Sequence, residues 1–308
     1  MTNTAFLFPG QGSQFVGMGK EFFDNFQVSR NVLAEIDKTL GINLSKIISE
    51  GPVEELTKTE NTQPAIMAVS IAILSAITET KGPISKMASF VAGHSLGEYS
   101  ALCAAGAISL ADTARLLQIR GRSMQDAVPL GKGSMAAVLG LSMNELEDLI
   151  RNEMASDIID IANDNCPGQI VVSGTTDSID KIIALLSNIG KRAVKLQVSA
   201  PFHSRLMEPV KEIMAESLAQ TKINQAIIPV IANVTARDEI DPRKIAQNLA
   251  LQVSARVRWT ETVEYLISQN ITKFVEIGPG QVLSGLMKRI NRDVQIVSIN
   301  SIADMDLI

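Results

Sequence analysis

Ser95 stands in the pentapeptide Gly93-His94-Ser95-Leu96-Gly97. Gly-x-Ser-x-Gly between a strand and a helix is a nucleophile elbow. Such a turn thrusts the serine hydroxyl out of a sheet, its glycines leaving room where a Cβ would collide. The helix that follows aims its first N–H groups at the site, where they can stabilise an oxyanion. A serine hydroxyl is a weak nucleophile and usually needs a neighbouring base. The chain has only two histidines, His94 and His203. His94 adjoins the serine, and adjacent side chains at a strand end point to opposite faces. It is expected to pack under the elbow, which leaves His203 as the base. Asp112, Asp126 and Glu145 lie between serine and histidine, but none stands in a triad motif. A backbone carbonyl could orient the imidazole equally well, so both options stay open.

A second chemistry-bearing group is a run of arginines, Arg115, Arg120 and Arg122, on one predicted helix. A guanidinium grips a carboxylate through two parallel hydrogen bonds, which lysine cannot mimic. Pattern alone does not choose among the three. The Gly-rich segment 9–14 is too short, and lacks the lysine, for a phosphate loop. Cys103 and Cys166 form no Cys-x-x-Cys pair, so no metal or redox motif is visible. No cofactor is expected.

Composition narrows the class. Aromatics are 4% and the net charge is −5, which argues against a base-stacking or phosphate-binding surface and hence against nucleic acid. The N-terminus lacks the charged start of a signal peptide. The longest helix-like apolar segment, 65–77, is short of a bilayer span. A cytoplasmic protein without membrane contact is expected.

Short apolar runs alternating with helical patterns predict an α/β protein with a mainly parallel sheet. Strands are expected at 5–8, 90–92, 229–232, 273–277 and 294–297. Helices are expected at 63–78, after Ser95, after the N-cap Ser109, and at 206–220, 242–251 and 258–268. Gly-rich turns follow three of the strands, at Gly10, Gly93 and Gly278, and strand carboxyl ends are where sites gather. Between them, 134–139, 142–154, 158–162, 169–173, 176–188 and 193–198 read β-α-β-β-α-β, a ferredoxin-like order. The expected organisation is a discontinuous α/β hydrolase-like catalytic domain, 1–129 and 198–308, with a small ferredoxin-like α+β domain inserted at 130–197.

Five motifs converge on one family: Phe8-Pro9-Gly10-Gln11-Gly12-Ser13-Gln14, Gly93-His94-Ser95-Leu96-Gly97-Glu98-Tyr99, Arg120-Gly121-Arg122, Ala200-Pro201-Phe202-His203-Ser204 and Glu276-Ile277-Gly278-Pro279-Gly280. Over essentially its whole length the chain resembles the malonyl-CoA:acyl carrier protein transacylases of fatty acid synthesis. The resemblance implies a ping-pong reaction. Ser95 would take the malonyl group from malonyl-CoA, and the phosphopantetheine thiol of acyl carrier protein would then accept it. It implies His203 as base and acid, the N–H groups of Gln11 and Leu96 as oxyanion hole, and Arg120 as the grip on the malonyl carboxylate. It also implies that the main-chain carbonyl of Gln252 orients the histidine. Phe202 matches the pattern for malonyl rather than branched acyl groups. Carrier proteins are acidic, which makes Lys191, Arg192, Lys195, Lys288 and Arg289 candidates for docking. Two rivals use the same serine and histidine: a thioesterase or esterase with water as acceptor, and a transferase for another acyl-CoA.

Overall fold

The computed structural model describes residues 2–198 and 200–308; Met1 and Ser199 lie outside the described residues. In chain order the strands are β1 (Thr4–Phe8), β2 (Phe90–Gly93), β3 (Gly133–Leu139), β4 (Ile159–Cys166), β5 (Gln169–Thr175) and β6 (Arg192–Lys195). β7 (Val230–Ala232), β8 (Arg237–Glu239), β9 (Val257–Arg258), β10 (Lys273–Ile277) and β11 (Gln295–Ile299) follow. They form two sheets, so the fold is mixed α/β. The larger sheet has the order β11-β10-β1-β2-β7-β8. It is parallel except for the short edge strand β8.

That order brings three Gly-rich turns together, because β10, β1 and β2 are parallel neighbours whose carboxyl ends leave the sheet side by side. A Cβ built on Gly97 would lie 2.2 Å from the Phe8 carbonyl oxygen, and one on Gly278 2.6 Å from Pro9 Cγ. Glu276 on β10 is fully buried. Its carboxylate accepts from the N–H groups of Leu283 (2.9 Å) and Ser284 (2.8 Å), at the start of helix Val282–Ile290. A buried carboxylate thus satisfies amides that a helix start leaves without acceptors.

The second sheet has the order β6-β3-β5-β4-β9. Its first four strands are antiparallel neighbours, and β9 joins β4 in parallel. Helices Met143–Glu153 and Thr176–Asn188 belong to it. With the sheet they bury a core of their own, including Val138, Leu146, Ile159, Val172, Ile182 and Leu186. Ser142 and Glu145 form the full capping box at the first helix.

Some elements differ from the sequence expectation. β4 runs to Cys166, through register shifts after Ile161 and Asp164. Buried Asn163 and Asn165 break the apolar alternation there. β6 ends at Lys195, and β9 adds residues 257–258 to the second sheet from outside the 130–197 segment. Four helices between Lys20 and Thr57 were not anticipated at all. The helix expected at 63–78 spans Thr59–Lys81. By length and composition it could cross a membrane, but 89% of its apolar window is buried inside the protein. Its first turn, with polar Asn61 and Thr62, extends the helix beyond the apolar run that marks it in the sequence. Both are buried, donating to the carbonyls of Glu55 (2.9 Å) and Leu56 (2.6 Å).

Candidate active site

Ser95 has φ 54° and ψ −111°, a backbone state that L-residues rarely occupy and that persists only where the surroundings impose it. The surroundings do so tightly. A Cβ on Gly93 would fall 1.9 Å from the Gly97 carbonyl carbon, so both glycines are required by the bend. Asn233, fully buried just after β7, clamps the turn from the side. Its Oδ1 accepts from the Ser95 N–H (2.7 Å) and its Nδ2 donates to the Gly93 carbonyl (2.7 Å). Leu96 opens helix Leu96–Ala104. Its N–H is one of those a helix start leaves unused.

His203 also sits at positive φ, 56°. Its Nε2 lies 2.8 Å from Ser95 Oγ. Its Nδ1–H donates to the main-chain carbonyls of Gln252 (2.8 Å) and Ala255 (3.1 Å), and its own N–H donates to the Val253 carbonyl (3.1 Å). Gln252 is the last residue of helix Pro242–Gln252. The imidazole is therefore seated at a helix C-terminus, whose free carbonyls and negative dipole end favour a developing positive charge. With Nδ1 donating, Nε2 is left as an acceptor for the serine hydroxyl. Burial, and next the nearby Arg120 charge, push the His203 pKa down to about 3, so the ring rests neutral.

None of the three carboxylates considered from sequence stands behind this ring. Asp112 pairs with Arg115 and Asp126 with Arg122, while Glu145 caps its helix at Ser142. His94 turns away from the hydroxyl. Its Nε2–H donates to Asn165 Oδ1 (2.8 Å), its ring packs beside Trp259, and burial lowers its pKa.

Arg120 is 1% exposed. Nη1 donates to Gln63 Oε1 (2.7 Å), and Nη2 to both Ser95 Oγ (3.1 Å) and Gln252 Oε1 (3.0 Å). Arg115 and Arg122 form exposed ion pairs on the same helix, so only Arg120 of the three reaches the serine. Gln11, Ser95, Arg120, Phe202 and His203 all line one cavity of about 320 Å³. Its far wall comes from the second sheet and the chain after it, with Met135, Asn163, Leu196 and Val198. The site thus lies between the two sheets. Of the basic residues considered for docking, Lys195 pairs with Asp180. Lys191 and Arg289 hold the Gly140 carbonyl and Gln169 Oε1, respectively.

An acyl transferase domain model matches residues 5–305. A malonyl CoA-acyl carrier protein transacylase of Bacillus subtilis is 43% identical, covering 100% of this chain and 96% of that protein. The chain belongs to the malonyl-CoA:acyl carrier protein transacylases of the acyl transferase family. Among solved structures, the acyl-carrier-protein-S-malonyltransferase of Bartonella henselae superposes with a TM-score of 0.97. It is 46% identical and covers 99% of this chain and 98% of its own. A malonyl-transacylase solved in complex with a type II PKS acyl-carrier protein superposes at 0.95. It is 38% identical, with 99% and 98% of the two chains covered.

Three residues of this transacylase that the sequence did not single out join the site. Asn233 clamps the elbow. Gln63 holds Arg120. Glu98, 2% exposed, accepts from the Asn233 N–H (3.0 Å) and from Gln252 Nε2 (2.6 Å). Asn233 carried no local signal, since it becomes significant only because β7 lies beside β2. Glu98 and Gln63 did carry one, as polar residues inside runs that bury on every side.

Proposed function

We propose that Ser95 is the nucleophile and His203 the base and acid by which this chain moves malonyl groups. The chain transfers a malonyl group from malonyl-CoA to the phosphopantetheine thiol of acyl carrier protein, supplying extender units for fatty acid synthesis. The observation that carries the residue assignment is the line from Ser95 Oγ to His203 Nε2 to the Gln252 carbonyl, with Arg120 Nη2 on the same oxygen.

In the first half-reaction Ser95 Oγ passes its proton to His203 Nε2 and bonds to the thioester carbonyl carbon. The oxyanion is taken up by the N–H groups of Gln11 and Leu96. The carbon–sulfur bond breaks, and the CoA sulfur leaves with the proton held on Nε2, giving malonyl-Ser95. In the second half the carrier thiol gives its proton to Nε2 and attacks the ester. Ser95 Oγ then leaves and regains that proton. The carbonyls of Gln252 and Ala255 hold the tautomer throughout. Arg120 receives the free carboxylate of the acyl group, and the buried Phe202 ring narrows the cavity beside it.

A hydrolase would use the same pair but gains nothing from a buried guanidinium facing the serine, and that cation favours an anionic acyl group. The larger sheet with its elbow supports a hydrolase-like catalytic domain, 1–129 and 198–308. The strand order β6-β3-β5-β4 and its separate core support a ferredoxin-like insertion at 130–197. We place the reaction in the cytoplasm.

The acceptor is tested by incubating the enzyme with malonyl-CoA and holo-carrier, apo-carrier or buffer. CoA release in step with malonyl-carrier, and only with the holo form, is expected. Steady release of free malonate at the same rate in all three would make it a hydrolase.

A further inference from the structure

Arg120 is a buried cation with no direct ion pair among the described residues; its donors go to Gln63, Ser95 and Gln252. The nearby buried anion is Glu98, reached through one carboxamide. Gln252 Oε1 accepts from Arg120 (3.0 Å) while Gln252 Nε2 donates to Glu98 Oε2 (2.6 Å) and to the Ser95 carbonyl (3.0 Å). A direct bidentate pair would set a full negative charge on the guanidinium's own fork. The amide relay compensates its charge and leaves donors free for another carboxylate. In a solvent-excluded site a second anion also acts on whatever anion the guanidinium binds.

We propose that Glu98 is a positioning residue acting through Gln252, a second buried anion that balances Arg120 in the free enzyme and weakens its hold on the acyl carboxylate, so that the malonyl ester can be passed on. The inference rests on Arg120 as the carboxylate grip. Burial pushes the Glu98 carboxyl up to about 7, against the pull of the Asn233 N–H, Gln252 and Arg120. The titratable groups around it are Arg120 on helix Leu110–Asp126, Tyr99 on its own helix and, across Gln252, His203. Of these only Glu98 discharges near neutrality. Below that range the brake on malonyl release is set harder.

The test is Glu98→Gln, whose carboxamide oxygen can keep both bonds of Oε2 while the charge is lost. KM for malonyl-CoA should fall by about fivefold, and transfer of malonyl from Ser95 to a thiol should slow by a similar factor. The change is read as the ratio of malonyl to acetyl constants, because acetyl-CoA brings no carboxylate to Arg120 and reports any loss common to both. Glu98→Asp, which keeps the charge, should restore the malonyl values. In the unmutated enzyme the same fall in KM should appear as pH drops through about 7, a readout that stands even if Glu98→Gln does not fold. Equal changes for malonyl and acetyl, a rise in malonyl KM, or a pH-independent malonyl KM would each overturn the inference. Arg120→Ala separates the two layers. If it removes the malonyl preference while Glu98→Gln leaves it untouched, only the role of Glu98 fails. If it lowers malonyl and acetyl transfer alike, the carboxylate grip itself fails.

Discussion

At the scale of single residues, three side chains meet at one oxygen. Ser95 Oγ donates to His203 and accepts from Arg120, so the guanidinium bears on both the nucleophile and the base. Two predictions follow from that position. Arg120→Ala should cut malonyl transfer by about tenfold to a hundredfold, since each charge-assisted bond to a carboxylate contributes about 1.5–3 kcal/mol. Acetyl transfer, which loses only the contact of Arg120 with Ser95 and His203, should fall by much less; initial rates with the two CoA esters decide. The second concerns pH. His203 is held at about 3, by burial first and Arg120 next, and a base with a depressed pKa stays unprotonated well into acid. The acid limb of kcat/KM for acetyl-CoA should therefore lie far below the usual histidine value of about 6.5. In Arg120→Ala the limb should move up toward it. A limb near 6.5 in the unmutated enzyme would contradict the seating of His203.

At the scale of elements, the elbow is held by packing that a side chain cannot share. Gly93→Ala would set a Cβ 1.9 Å from the Gly97 carbonyl carbon. It should destabilise the protein by about 3 kcal/mol, read as a lower urea midpoint. Asn233→Ala should cost about 1–3 kcal/mol, because it leaves a buried N–H and a buried carbonyl unpaired. It should also slow serine acylation, by loosening the turn. The local signals explain what was legible beforehand. The elbow, the Ser109 and Ser142 caps and the strand at Lys273–Ile277 depend on near neighbours in sequence, and pattern reaches them. The clamp of Asn233 and the Glu98–Gln252 link join residues over a hundred positions apart, and no spacing encodes them. The helices between Lys20 and Thr57 fall between. Gln27–Leu40 buries Val32 and Ile36 at helical spacing, and Asn43 caps the next helix through the Lys46 N–H. Those cues were present, but Gly19 and Phe26 at two helix starts offer no side-chain cap to mark the boundaries.

At the scale of the whole molecule, the cavity lies between two sheets with separate cores, and each supplies one wall. The larger sheet brings the serine and arginine, and the segment returning from the smaller one delivers Phe202 and His203. A carrier must present its thiol at this seam. Lys191, Lys288 and Arg289, which form no ion pair among the described residues, are exposed or half-exposed. If they steer an acidic carrier, transfer to it should weaken as salt rises from low to physiological strength. Lys288→Glu should then slow that step without slowing acylation by malonyl-CoA; a salt-independent transfer rate would remove the charge from the account. The molecule as a whole serves to carry one acyl group between two thiols on Ser95. The most direct measurement is therefore intact mass after brief mixing with malonyl-CoA. One added malonyl group is expected, absent from Ser95→Ala and discharged by holo-carrier. An unmodified protein that still releases CoA, or an adduct that survives in Ser95→Ala, would contradict it.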